Sequence, residues 1–182
     1  MKMIYVFFAE GFEEVEALAT VDVLRRAGLE VKTVGVTGKA VSGSHNIPVV
    51  CDCEISEITP DDSVQAVVLP GGMPGTTNLE KSAEVNTFID YANENGKYIC
   101  AICAAPSILG KKGLLKGKEA ICFPGFEEYL YGAAVSEKSV VADGKIITAK
   151  ACGVALKFGK VIAEQFIGKE KADALWESLY ND

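Results

Sequence analysis

Tyr98-Ile99-Cys100-Ala101-Ile102-Cys103-Ala104-Ala105-Pro106-Ser107-Ile108-Leu109 is the stretch whose reading decides the fold. Tyr98–Ile102 is short, apolar and flanked by polar residues, the pattern of a strand buried on both faces of a parallel sheet. Ala104–Leu109 begins a helix. With no linker between them, Cys103 falls at a sharp strand-to-helix bend, an arrangement like the nucleophile elbow of hydrolases. A thiol there meets unpaired helix amides and the positive end of the helix dipole. Both favour the thiolate and predict a pKa below the unperturbed value of roughly 8.5. A buried core cysteine is the plainer alternative.

The same alternation runs outward in both directions. Met3–Phe8 reads as a central strand, Glu13–Ala27 as a helix stopped by Gly28, and Glu30–Val36 as a second strand. Val41–Val50, interrupted by Gly43 and Pro48, reads as an edge hairpin. Ala66–Leu69 is the next buried strand, followed by helix Ala83–Asn95 and strand candidate Glu119–Cys122. Val140–Ala142 and Ile146–Ala149 flank Asp143-Gly144, a hairpin turn signal. Val154–Phe166 and Lys169–Leu179 close the chain as helices. The order implies one α/β domain over residues 1–182, with a mostly parallel sheet covered by helices on both faces.

Ligands bind such sheets at the carboxyl ends of the strands. Four features fall there: Ala9–Glu16, Pro70–Gly75, Cys103-Ala104 and Phe123-Pro124. Gly71 and Gly72 let backbone N–H groups approach a ligand as an oxyanion hole requires, and the N–H of Ala104 is a further donor. Glu16, in the first turns of the first helix, is placed to share or move a proton. Glu13 and Glu14 can be read as favourable helix N-terminal charges, and composition alone does not separate Glu16 from them.

A net charge of −7 argues against nucleic acid and anionic lipid as partners, and no apolar run approaches the ~20 residues of a membrane span. The first residues read as a buried strand rather than a leader, so the protein is expected in the cytoplasm. The six cysteines are then buried thiols, metal ligands or catalytic groups rather than disulfides. Cys51, Cys53, Cys100 and Cys103 could in principle hold zinc, but nothing in the sequence places those segments together, and no metal is expected.

Ala9-Glu10-Gly11-Phe12-Glu13-Glu14-Val15-Glu16, Asp22–Gly28, Val67-Val68-Leu69-Pro70-Gly71-Gly72 and Ala101-Ile102-Cys103-Ala104-Ala105-Pro106 occur in register along the chain. Together they closely resemble the DJ-1/ThiJ/PfpI superfamily, most of all its DJ-1/ThiJ branch. The resemblance implies a flavodoxin-like three-layer sandwich and a homodimer. It also implies that Cys103 is the reactive cysteine, Glu16 its partner acid, and Gly71, Gly72 and Ala104 the backbone lining. Members are described as glyoxalases without cofactor, deglycases, oxidation sensors and chaperones.

The chain departs from that pattern in three ways. Phe123, before Pro124, stands where the branch carries a histidine. Ala104 stands where the peptidases carry theirs. The sole histidine, His45, lies far away in sequence and is expected at the surface or a subunit contact. A peptidase or an amidotransferase, which needs a late histidine, is therefore disfavoured. Cys152 occupies a position beside the family's site and could approach Cys103. These observations predict a cofactor-free cysteine enzyme for 2-oxoaldehydes or glycated adducts, with Cys103 and Glu16 sharing one proton near neutral pH. The rival is a redox sensor or chaperone in which Cys103 oxidises with little turnover.

Overall fold

Residues 2–179 are described in the structure, a computed structural model. In chain order the strands are β1 Met3–Phe8, β2 Val31–Gly35, β3 Ala40–Ser42, β4 Pro48–Val50, β5 Cys53–Glu54, β6 Val64–Leu69, β7 Tyr98–Ile102, β8 Glu119–Ala120, β9 Ala134–Val135, β10 Val140–Asp143 and β11 Ile146–Ala149. The helices are α1 Glu14–Arg26, α2 Gly75–Lys81, α3 Ala83–Glu94, α4 Pro106–Lys111, α5 Ala155–Ile167 and α6 Lys169–Leu179.

Seven strands form the central sheet in the order β10-β11-β7-β6-β1-β2-β5, all parallel except the β10–β11 hairpin. Alternate residues of the central strands face opposite helix layers. Phe7, Val67 and Ala101 pack with Leu79, Phe88, Ile89 and Ile108 on one side. Ile4, Val6, Val68 and Cys100 pack with Ala17, Leu24, Phe158 and Ile162 on the other. Burial on both faces explains why β1, β6 and β7 read as unbroken apolar runs.

Three expectations need correction. Glu119–Cys122 is not a strand of the central sheet: only β8 forms, paired with β9 in a separate two-stranded sheet. The Val41–Val50 hairpin likewise stands apart, as β3–β4. The helix after Cys103 starts at Pro106, because Ala104 and Ala105 make a turn in which Ala105 N donates to Ile102 O. Helix α2 escaped the sequence reading because its start, Gly75-Thr76-Thr77, carries weak helix formers.

Strand order reverses around β1, whose neighbours are β2 and β6. At that switch point, the carboxyl ends of β1, β6 and β7 open toward α1, the β6–α2 loop and Cys103.

Candidate active site

Cys103 adopts a left-handed backbone, φ 64°, a conformation a side-chain-bearing residue holds only when its surroundings enforce it. The enforcement is visible on both sides. Cys103 N donates to Ala149 O at 2.9 Å, and Cys103 O accepts from Phe123 N at 2.7 Å. The elbow is therefore pinned by β11 and by the loop after β8. The side chain is half-buried.

Glu16 reaches the same point from the first turn of α1. Its carboxyl is buried, with Oε2 accepting from Gly71 N at 2.9 Å, and its other polar contact is the Cys103 thiol. Oε1 has no backbone or side-chain donor. Glu13 caps α1 by accepting from Glu16 N at 2.7 Å, and its own N donates to Gly71 O at 2.9 Å. These two bonds tie the helix start to the β6–α2 loop. Gly71 is required by contact: a Cβ there would stand 2.5 Å from Cys103 Cβ and 2.6 Å from Glu16 Oε2. Gly72, at φ 90°, turns its amide toward the thiol, where the amide of Ala104 also points.

Burial pushes the Glu16 carboxyl up to about 7, against the opposing pull of the Cys103 and Gly71 hydrogen bonds. Burial, and then the charge of Glu16, push the Cys103 thiol up to about 12, although the Gly72 and Ala104 amides favour its thiolate. This corrects the expected lowering. The thiol faces two amides rather than a helix end, α4 is only six residues long, and an adjacent carboxylate opposes a second negative charge. Read as a pair, the two groups hold one proton between about 7 and about 12.

A family model for the DJ-1/PfpI family matches residues 2–165. The chain belongs to the DJ-1/PfpI family. It is 36% identical over 181 residues to dj-1beta of Drosophila melanogaster, covering 98% of this chain and 96% of that protein. The DJ-1 superfamily protein STM1931 from Salmonella typhimurium, solved as a C103A mutant, superposes with a TM-score of 0.91 at 34% identity over the whole of both chains. Oxidized DJ-1 of Toxoplasma gondii gives a TM-score of 0.93 at 31% identity, again over both whole chains.

Within this DJ-1/PfpI chain, Cys103, Glu16, Gly71, Gly72 and Ala104 converge. Gly71 differs from its expected part, since its amide is committed to Glu16 and only Gly72 and Ala104 point at the sulfur. Phe123 and Pro124 are exposed, and the Phe123 backbone touches the elbow although it does not end a central strand. Cys152 is exposed and lines a groove of about 280 Å³ with Val15, Leu156, Lys157 and Trp176; Cys103 is not among the lining residues. A four-thiolate site is excluded by the fold, because Cys51 and Cys100 lie in one core layer and Cys53 in the other.

The sequence reading missed the role of Glu14. Its carboxyl is buried and accepts from His45 N at 2.7 Å and Ser44 Oγ at 3.3 Å, and it pairs with His45 Nδ1 at 2.8 Å. Burial alone would raise its pKa, but the His45 hydrogen bonds hold it at about 2. His45 is at the surface as expected, and Glu14 raises its pKa. Only Gly43 hinted at this clamp: a Cβ there would lie 2.2 Å from Glu14 Cδ.

Proposed function

We propose that this chain is a cofactor-free cysteine enzyme acting on 2-oxoaldehydes or their adducts, with Cys103 as nucleophile and Glu16 as acid and base. One observation carries the reading. A buried carboxyl with a pKa of about 7 lies against a half-buried thiol whose remaining polar neighbours are two backbone amides.

For methylglyoxal, the proton of the pair resides on Glu16 when sulfur attacks. The Cys103 thiolate adds to the aldehyde carbon, and the former carbonyl oxygen becomes an oxyanion facing the Gly72 and Ala104 amides. Glu16 donates its proton to that oxygen, giving a hemithioacetal. The resulting carboxylate takes the proton from the same carbon and returns it at the neighbouring one through an enediol, while the hydroxyl proton passes from the first oxygen to the neighbouring oxygen, leaving a lactoyl thioester. Water then cleaves the thioester to lactate and restores the thiol. Overall, methylglyoxal and water become lactate, with no external oxidant or reductant. Phe123 cannot carry a proton, so all proton transfers fall to Glu16 and turnover is slow.

D-lactate formation from methylglyoxal tests the reading. Wild type should turn over, while Cys103→Ser and Glu16→Gln should each lose at least about 100-fold. Equal rates in wild type and Cys103→Ser would sink it. The second reading, an oxidation sensor, draws on Phe123 in place of a histidine and on the oxidized Toxoplasma gondii relative. It predicts Cys103 oxidation by dilute peroxide with no lactate formed by any variant.

A further inference from the structure

Two residues with large, exposed apolar side chains adjoin the Cys103 elbow through the backbone of separate loops. Phe123 gives its amide to Cys103 O, yet leaves its side chain 43% exposed. Met73 follows Gly72, whose amide faces the thiol, and is 52% exposed. The charges at the site share one sign: Glu16 acts on Cys103, and Glu13 acts on Glu16. Among the described residues, no lysine or arginine forms an ion pair with Glu13 or Glu16. His45, the imidazole beside Glu13, is bound to Glu14. The groups available to hold a substrate oxygen are neutral amides.

We propose that Phe123, together with Met73, makes the Cys103 site selective for uncharged carbonyl compounds bearing an apolar or aromatic substituent, and that aldehydes carrying a carboxylate are rejected. The inference rests on the reading of Cys103 as a nucleophile toward aldehydes. A carboxylate would bring a further negative charge beside Glu13 and Glu16, which pair with no lysine or arginine among the described residues and whose neighbouring imidazole is already held by Glu14, and both its desolvation and the repulsion oppose binding. A phenyl or branched alkyl group instead covers exposed hydrocarbon on Phe123 and Met73, a gain that grows with the apolar area removed from water. Aromatic pairing with Phe123 adds to it for aryl substituents.

The probes are phenylglyoxal, methylglyoxal and glyoxylate, which share the aldehyde and differ in what it carries. Each is used to protect Cys103 of the full chain from iodoacetamide, with labelling read by peptide mass spectrometry. Each protecting concentration is normalised to the same aldehyde's hemithioacetal equilibrium with 2-mercaptoethanol, which removes intrinsic reactivity. Phenylglyoxal should protect at a concentration about fivefold below methylglyoxal, and glyoxylate should need about tenfold more than methylglyoxal. Phe123→Ala should bring phenylglyoxal to within about twofold of methylglyoxal, and Phe123→Lys should improve glyoxylate by at least about fivefold.

Normalised protection by glyoxylate equal to that by phenylglyoxal would overturn the proposal. So would an unchanged phenylglyoxal preference in a Phe123→Ala/Met73→Ala double variant, or no protection by any of the three. Lactate and mandelate are measured in parallel. Selective protection without either product keeps the selectivity and removes the enzymatic reading; products without selectivity do the reverse.

Discussion

At the scale of single residues, the site is held by contacts that permit few substitutions. Gly71→Ala would force a methyl group into the space between Cys103 and Glu16. Displacing either by about 1 Å should lower lactate formation about 100-fold, while overpacking should cost about 1–3 kcal/mol of stability. Glu16 is a stability cost at neutral pH. Its folded pKa of about 7 lies above its ordinary 4.5, so the native state keeps a proton that the unfolded chain has released. Stability is therefore lost as pH rises from 4.5 to 7 and stays lost above it. Glu16→Gln keeps an acceptor for Gly71 N but carries no charge. It should be about 2–3 kcal/mol more stable than wild type at pH 8, with the gap closing at pH 4, as read by urea unfolding. Glu16→Gln should also simplify the thiol's behaviour. Wild-type alkylation by iodoacetamide should rise first near pH 7, as the pair drops from two protons to one and that remaining proton is shared between sulfur and carboxylate, whereas the variant should show one step below 12. A single step near 12 in both proteins would refute proton sharing.

Among the elements, the β3–β4 hairpin and the start of α1 act as one unit through Glu14. Its carboxylate satisfies donors from Ser44 and His45. Removing it takes the acceptor from the part-buried His45 amide, so Glu14→Ala should cost about 1 kcal/mol. The ion pair has a defined pH window. Glu14 contributes above its unfolded 4.5 and loses that contribution as pH falls toward 2. His45, raised from 6.5, contributes fully below that value and fades as pH climbs through its folded pKa. The stability difference between wild type and His45→Ala should thus be largest between about pH 4.5 and 6.5 and shrink on either side. A difference constant from pH 3 to 9 would show that the charge pair contributes nothing.

Taken as a whole, the molecule leaves apolar side chains uncovered on the elements that Glu14 joins. Val15 and Leu18 on α1 are 54% and 39% exposed, and Ile47 and Val50 on the hairpin are 52% and 73% exposed. The family resemblance predicts a homodimer, and we propose that a second copy covers some of these side chains. Light scattering should give twice the chain mass at micromolar concentration, and Val15→Asp with Val50→Asp should return it to the monomer value. A wild-type monomer would remove the expectation. Among the described residues, no helix is long and apolar enough to cross a membrane.

Local pattern alone determined the parallel α/β sheet and the elbow at Cys103, because strand burial, helix periodicity and glycine placement are properties of neighbouring residues; Glu16 is singled out by the family resemblance. Local pattern left open which charged residues near α1 do chemistry. Glu13, Glu14 and Glu16 are alike in sequence, yet the fold makes one a helix cap, one a hairpin clamp and one the partner of a thiol. It also pointed the wrong way for the Cys103 pKa. Charge and desolvation depend on groups brought together across 55 and 87 residues of chain, Gly71 onto Glu16 and Glu16 onto Cys103, and only tertiary packing sets those distances.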